Sequence, residues 1–159
     1  MFQQMNYSGE KIKDYELLSK QLEALSDGET NQTALLANAS SLLNQFLDEV
    51  NWVGFYLSDS NELVLGPFQG LPACIRIAFG KGVCGAAFSE NKTQRIADVH
   101  QFPGHIACDA ASNSEIVIPI TSNNEVIGVL DIDSPIYDRF DATDQEGLEK
   151  FVTQLEKHL

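Results

Sequence analysis

The chain has 159 residues, the length of one domain, and 43% of them are apolar, as in a globular protein with a buried core. Its 23 acidic and 10 basic residues give a formal charge of −13. A surface of that sign repels phosphate groups, which argues against binding to nucleic acid or to anionic membranes.

The N-terminus and the cysteines indicate the compartment. Residues 1–7 contain neither a charged segment nor an apolar one, so no secretory signal is expected. No stretch approaches the ~18 apolar residues that a membrane span requires. The three cysteines lack a C-x-x-C spacing, which argues against a disulfide scaffold and against a structural zinc site. We therefore expect a cytoplasmic protein.

Two helices are predicted first. Apolar residues at spacings of three and four predict an amphipathic helix over about residues 9–25 and a second one that ends near residue 48. Asn31 or Thr33 can cap the second helix.

From Val50 the pattern is typical of strands. Aromatic and β-branched residues predict a hairpin of strands at 52–57 and 63–65. Short strands are predicted at 74–77 and 95–97, on either side of a short helix at 82–89. A second strand pair at 116–120 and 126–132 and a closing helix from residue 143 follow. Thr143 and Glu146 are predicted to form the capping box of the last helix. The order indicates a single α+β domain over residues 1–159, with a helical part at about 9–48, the sheet and site at about 50–135 and a C-terminal helix at about 143–158.

Gly80-x-Gly82-x-x-Gly85 formally matches a dinucleotide-binding fingerprint. That fingerprint belongs to the first turn of a parallel βαβ unit, whereas this segment lies in the middle of an antiparallel pattern. We interpret it as a turn whose backbone N–H groups can approach an anion, and we expect no cofactor.

The loop at residues 99–114 contains the residues with the greatest chemical interest. His100, His105 and Cys108 suggest a metal site with a fourth ligand from Cys74, Cys84 or an acid, but the spacing is a weak signal and loop histidines beside an anionic pocket explain it as well. A cysteine is usually a small buried residue, and Cys84 fits that description. Cys108 lies in a polar loop, where a nucleophilic or redox-active thiol would be placed. No metal is expected.

Three acids accompany the cysteines. Asp131 and Asp133 are two residues apart on a predicted strand, so their side chains should lie on the same face, and Glu115 begins the neighbouring strand. Strand-end acids usually meet solvent. Carboxyl groups that converge can instead share protons, and one of them can then serve as a general acid.

The chain resembles the free methionine-R-sulfoxide reductases, which are small stand-alone GAF-domain enzymes. The resemblance rests on the three cysteines and on five motifs, at residues 51–57, 80–85, 106–109, 114–119 and 128–135. It implies an antiparallel sheet of about six strands, with the N- and C-terminal helices packed on one face and a ligand pocket under loops on the other. It also implies thiol-dependent reduction of free L-methionine-(R)-S-oxide, through a cysteine sulfenic acid and an intramolecular disulfide that thioredoxin reduces.

The resemblance further implies roles for individual residues. Cys108 would be the nucleophile, with Cys74 as the first choice and Cys84 as the second for the resolving thiol. Glu115, Asp131 and Asp133 would hold the sulfoxide oxygen and the amino group, with Glu115 or Asp133 as the proton donor. Trp52 and Tyr56 would belong to the substrate pocket, and a homodimer is implied.

Two alternatives remain open. A non-catalytic GAF module that senses a small molecule or a redox state is the first, although such modules are usually fused to an output domain and 159 residues leave no room for one. The second is a GAF-like subunit whose cysteines are only core residues.

Overall fold

The computed structural model describes residues 2–159. In chain order the elements are α1 (Lys11–Ser26), α2 (Gln32–Phe46), β1 (Trp52–Asp59), β2 (Glu62–Gly70), β3 (Arg76–Ala78), α3 (Gly82–Glu90), β4 (Gln94–Ile96), a 3₁₀ turn (Val99–Gln101), β5 (Ser114–Ser122), β6 (Glu125–Ser134) and α4 (Ala142–Glu156). Within residues 2–159, no helix is both long and apolar enough to cross a membrane.

The six strands form one antiparallel sheet in the order β3-β2-β1-β6-β5-β4. Side chains alternate between its two faces, as the period of two requires. Val53 and Phe55 pack with α1, α2 and α4 in the larger core, whereas Trp52 and Tyr56 pack with α3 in a smaller core on the opposite face. The predicted α+β class and the predicted placement of the terminal helices are confirmed.

The helical layer is held together where α1 crosses α4. The Tyr15 hydroxyl donates a hydrogen bond of 2.8 Å to the buried Asp144. Gly147 leaves room for the Tyr15 ring, because a Cβ there would lie 2.3 Å from a ring carbon. The apolar face of α1 is therefore used inside the chain.

The predicted caps are partly confirmed. Asn31 caps α2 by accepting a hydrogen bond of 3.0 Å from the Ala34 N–H. The capping box predicted for Thr143 and Glu146 is wrong, since Asp141 and Asp144 form it and α4 begins at Ala142. Asp141 with Asp144 and Thr143 with Glu146 both have the spacing of a capping box, and the sequence does not show which pair forms it.

The short strands differ most from the prediction. Residues 74–77 were predicted as a strand, but β3 begins only at Arg76, and Cys74 lies in the loop before it. β2 continues to Gly70 and carries the chain to the rim of the site. The loop before β5 contains the 3₁₀ turn, which Asp98 caps through the His100 N–H.

Candidate active site

A cavity lies on the sheet face opposite α1, α2 and α4, between the strands, the start of α3 and two loops. Its empty space is about 530 Å³, counting the part open to solvent. The side chains that matter for chemistry in its wall are Trp52, Tyr56, Cys84, His105, Cys108, Ser112, Glu115, Asp131 and Asp133. The prediction that Asp131 and Asp133 share a face is confirmed.

The strand register explains why the three acids meet. Glu115 on β5 pairs directly with Asp133 on β6, and Asp131 lies two residues before Asp133 on the same face of β6. Cross-strand neighbours of this kind have Cβ atoms roughly 5 Å apart. Glu115 and Asp131 are buried, and Asp133 is partly exposed toward the cavity.

The environment of these acids favours their neutral form. Burial raises the pKa of Glu115 well above its ordinary range, and the neighbouring Asp131 and Asp133 carboxylates raise it further. Burial and the charge of Asp131 raise the pKa of Asp133. Burial also raises the pKa of Asp131, to about 6. The cluster therefore retains protons near neutral pH and can donate one.

Cys74 and Cys108 form a disulfide across 34 residues of sequence, with their Cα atoms 5.6 Å apart. This separation lies inside the range of roughly 4.4–6.8 Å that a disulfide allows. The structure therefore brings the predicted nucleophile to the first-choice resolving thiol, at the rim of the cavity.

Cys84 is a free, buried thiol in the first turn of α3. Burial raises its pKa well above the ordinary value, and the nearby Asp131 and Glu115 raise it further. It packs in the smaller core, as predicted for a buried cysteine, yet its sulfur also faces the carboxyl cluster.

An aromatic wall closes one side of the cavity. The indole of Trp52 stacks on Phe68 with ring centroids 5.1 Å apart and on Tyr56 at 5.8 Å. The Trp52 Nε1 donates a hydrogen bond to the Leu71 carbonyl, which fixes the ring. The Tyr56 hydroxyl donates to the Cys74 carbonyl at 2.8 Å, so Tyr56 holds the segment that carries one half of the disulfide.

The glycine motif forms the entry to α3. Gly82 has a positive φ of 61° and is the first residue of the helix, and a Cβ at Gly85 would lie 2.7 Å from the Ala78 carbonyl oxygen. The unpaired N–H groups of a first helical turn attract anions, and Gly82 and Val83 line the cavity. The expected turn beside the pocket is thus the start of a helix directed at it.

Asn51, which lies in one of the five motifs but was given no predicted role, connects the loop that carries Cys108 to the sheet. Asn51 precedes β1, and its Nδ2 donates hydrogen bonds to Asp109 at 2.9 Å and to Ser112 at 3.1 Å. The only available signal was its position next to Trp52. Ser112, which is buried in the cavity wall, was missed as well.

The metal set considered from the sequence does not assemble. His100 contacts Asn113 through Nε2 at 3.0 Å, and Cys108 is part of the disulfide. His105 lies beside the carboxyl cluster, with Nε2 3.8 Å from a Glu115 oxygen, and burial lowers the pKa of His105. Over residues 2–159, the potential metal-ligating atoms that converge belong to Cys84, Glu115 and Asp131.

Comparison with known proteins places this geometry in context. The GAF domain family model matches residues 31–159. The chain is 56% identical to the free methionine-R-sulfoxide reductase of Escherichia coli, over 94% of this chain and 90% of that protein, and 48% identical to the one of Saccharomyces cerevisiae, over 96% and 88%. A solved structure of the free methionine-R-sulfoxide reductase of Neisseria meningitidis in complex with its substrate superimposes with a TM-score of 0.94 at 43% identity, covering 99% of this chain and 95% of that one.

Proposed function

The chain belongs to the GAF domain family and, within it, to the free methionine-R-sulfoxide reductases, and from this premise we propose how its residues reduce the substrate. The reaction is thiol-dependent reduction of free L-methionine-(R)-S-oxide to L-methionine. The observation that carries the assignment of roles is the Cys74–Cys108 disulfide at the rim of a cavity lined by three protonatable acids.

The carboxyl cluster binds and activates the sulfoxide. A sulfoxide sulfur becomes electrophilic when its oxygen is protonated, and a carboxylic acid with a raised pKa can supply that proton. Glu115 or Asp133 is the donor, since both face the cavity with raised pKa values. Asp131 holds the substrate ammonium, and the free amides at the start of α3 hold its carboxylate. The Trp52 indole packs against the S-methyl group.

Cys108 is the nucleophile. Its thiolate attacks the sulfur of the protonated sulfoxide and forms a sulfur–sulfur bond. As that bond and the substrate S–O bond break, the protonated oxygen becomes bonded to the Cys108 sulfur as sulfenic acid, and methionine is released. The sulfoxide gains two electrons and Cys108 loses two. The Cys74 thiol then attacks the Cys108 sulfur and expels water, which gives the disulfide that the structure contains. A dithiol protein of the thioredoxin class returns both cysteines to thiols by exchange.

The decisive experiment separates the two half-reactions. Pre-reduced protein is mixed with free methionine-(R)-sulfoxide, its S epimer or a peptide-bound sulfoxide, without a recycling reductant, and methionine is counted per chain. Wild type and Cys74→Ser should each release one methionine from the free R epimer alone, and Cys108→Ser should release none. With thioredoxin, thioredoxin reductase and NADPH, wild type should turn over many times and Cys74→Ser should recycle poorly. Turnover by Cys108→Ser at the wild-type rate would refute the nucleophile.

Three further proposals concern the domain organisation, the compartment and the oligomeric state of the protein. We propose that residues 1–159 act as a single GAF unit, that the protein works in the cytoplasm, and that it forms a homodimer. The apolar face of α1 is buried within the chain, so the dimer contact would use other surfaces, such as the groove between α1 and α4 next to the exposed Ile12. Sedimentation equilibrium of wild type and Ile12→Asp tests this contact.

A further inference from the structure

Three potential metal ligands converge at the floor of the cavity. The Cys84 sulfur and one carboxylate oxygen each from Glu115 and Asp131 lie within 4.8 Å of one another, and all three residues are buried. They come from α3, β5 and β6, so three separately fixed elements hold them in place. The reaction described above does not use the Cys84 thiol.

Asp131 supplies an independent sign that a ligand belongs here. It is 6% exposed, and its Oδ1 has no hydrogen-bond partner. Buried polar atoms almost always have a partner, because an unsatisfied one costs roughly 1–3 kcal/mol. Since Asp131 lines the cavity, its free oxygen is available to a cation that enters.

The geometry is compatible with zinc. Zinc bonds of about 2.0–2.3 Å in a tetrahedron separate the ligand atoms by about 3.5 Å. The three ligand atoms lie within 4.8 Å of one another, so they would have to approach by at most about 1 Å to reach this spacing. The Nε2 of His105 lies 3.8 Å from a Glu115 oxygen but outside the group of three, so His105 would have to move toward Cys84 and Asp131 to become the fourth ligand.

We propose that Cys84, Glu115, Asp131 and His105 form an inhibitory Zn²⁺ site that overlaps the substrate site. A mixed set of thiolate, imidazole and carboxylate suits zinc, whereas Mg²⁺ and Ca²⁺ prefer oxygen ligands alone. The chain's charge of −13 also favours the approach of cations.

The inhibition follows from shared residues, and this part rests on the proposed function. Glu115 and Asp131 cannot hold a metal ion and the substrate at the same time. The ligand set excludes Cys74 and Cys108, so zinc should bind while the disulfide is intact. The site thus differs from chelation by the thiols of the reduced enzyme.

The disulfide form gives the cleanest test, because Cys84 is then the single free thiol of the chain. Oxidised full-length protein, its disulfide verified by mass spectrometry, is titrated with CoCl₂ and followed in the near-ultraviolet for sulfur-to-cobalt charge transfer. ZnCl₂ is then added to displace the cobalt. We expect one ion per chain and a charge-transfer band in wild type. Cys84→Ser should lose the band and bind zinc at least about tenfold more weakly, a difference of about 1.4 kcal/mol.

Two further variants guard against misfolding and against adventitious binding. Asp131→Asn keeps the thiol but removes a ligand, and it should weaken zinc binding while circular dichroism stays unchanged. Asp59 is the exposed last residue of β1, and the control variant Asp59→Asn should bind zinc as wild type does. Binding without the band, or a band that persists in Cys84→Ser, would overturn the site.

Competition separates the metal site from the proposed reaction. Free methionine-(R)-sulfoxide should raise the apparent Kd for zinc, and zinc should raise the KM of the reduced enzyme with kcat unchanged. A charge-transfer band that the sulfoxide does not displace would leave the metal site in place and refute its overlap with the substrate site. If the protein binds zinc as expected but does not reduce free methionine-(R)-sulfoxide, the proposed function is wrong and the metal site is not.

Discussion

Asp131→Asn should stabilise the protein while it abolishes catalysis. The side chain is almost completely buried and one of its oxygens has no partner, so its ionised form is held at a cost. The amide has nearly the same shape and carries no charge. The variant therefore removes the energetic penalty together with the group proposed to bind the substrate ammonium.

The pKa of Asp131 gives the size of the effect. It rises from 3.8 to about 6 on folding, and each pKa unit corresponds to 1.36 kcal/mol, so the ionised carboxylate costs about 3 kcal/mol. Because the folded pKa is the higher one, the cost is absent below about pH 4 and complete above about pH 6. About half of it should be present at pH 5.

Urea denaturation at pH 5.0 and pH 7.5, with the disulfide intact, measures this cost. Asp131→Asn should exceed wild type in free energy of unfolding by about 3 kcal/mol at pH 7.5 and by about half of that at pH 5.0. For a chain of this length, the difference at pH 7.5 corresponds to about 6–12 °C in Tm. The exposed control Asp59→Asn should match wild type at both pH values.

Two outcomes would refute this reasoning. A variant less stable than wild type at pH 7.5 would mean that the hydrogen bonds of Asp131 with Glu115 and Cys84 outweigh the cost of burying its charge. A gain that is the same at pH 5.0 and pH 7.5 would mean that ionisation is not its cause. Confirmation would identify the acid cluster as a place where stability is given up for function.

Three other predictions concern the same cavity. Burial raises the pKa of Glu115, Asp133 and Asp131, so single-turnover release of methionine by the reduced enzyme should slow at alkaline pH, where these acids lose their protons. Asp133→Asn should release methionine slowly at every pH. A rate that rises steadily with pH would argue against an acid donor. In Gly54→Ala the new Cβ would lie 2.3 Å from the Phe68 Cβ and 2.7 Å from the Trp52 ring. We therefore expect the free energy of unfolding, measured by urea denaturation, to fall by about 1–3 kcal/mol and the KM to rise. Wild-type values for both would contradict the packing. Asn51→Ala should release the Cys108 loop and lower kcat by about tenfold with little change in Tm, whereas an unchanged kcat would leave the two Asn51 hydrogen bonds without a catalytic role.

Local pattern was enough for much of the framework. The helix period predicted α1, α2 and α4, and the strand period predicted the β1–β2 and β5–β6 hairpins. The same period of two placed Asp131 and Asp133 on one face. Helix caps and strand ends were predicted less well. Two candidate capping boxes overlap at the start of α4, one formed by Asp141 with Asp144 and the other by Thr143 with Glu146, and local pattern does not distinguish them.

The sequence by itself determined the set of candidate residues for the chemistry. Three cysteines, three acids and the Trp52 strand stand out by type and spacing, and the resemblance predicted their roles. Only the tertiary structure decided how they are divided. Cys74 and Cys84 are ten residues apart, and the resemblance made Cys74 only the first choice as the partner of Cys108. The fold brings Cys74 to the rim and buries Cys84 in α3 against the carboxyl cluster. The β5–β6 register places Glu115 opposite Asp133, and Asn51 ties the Cys108 loop to the sheet. These are contacts between residues far apart in the chain, and no local period encodes them.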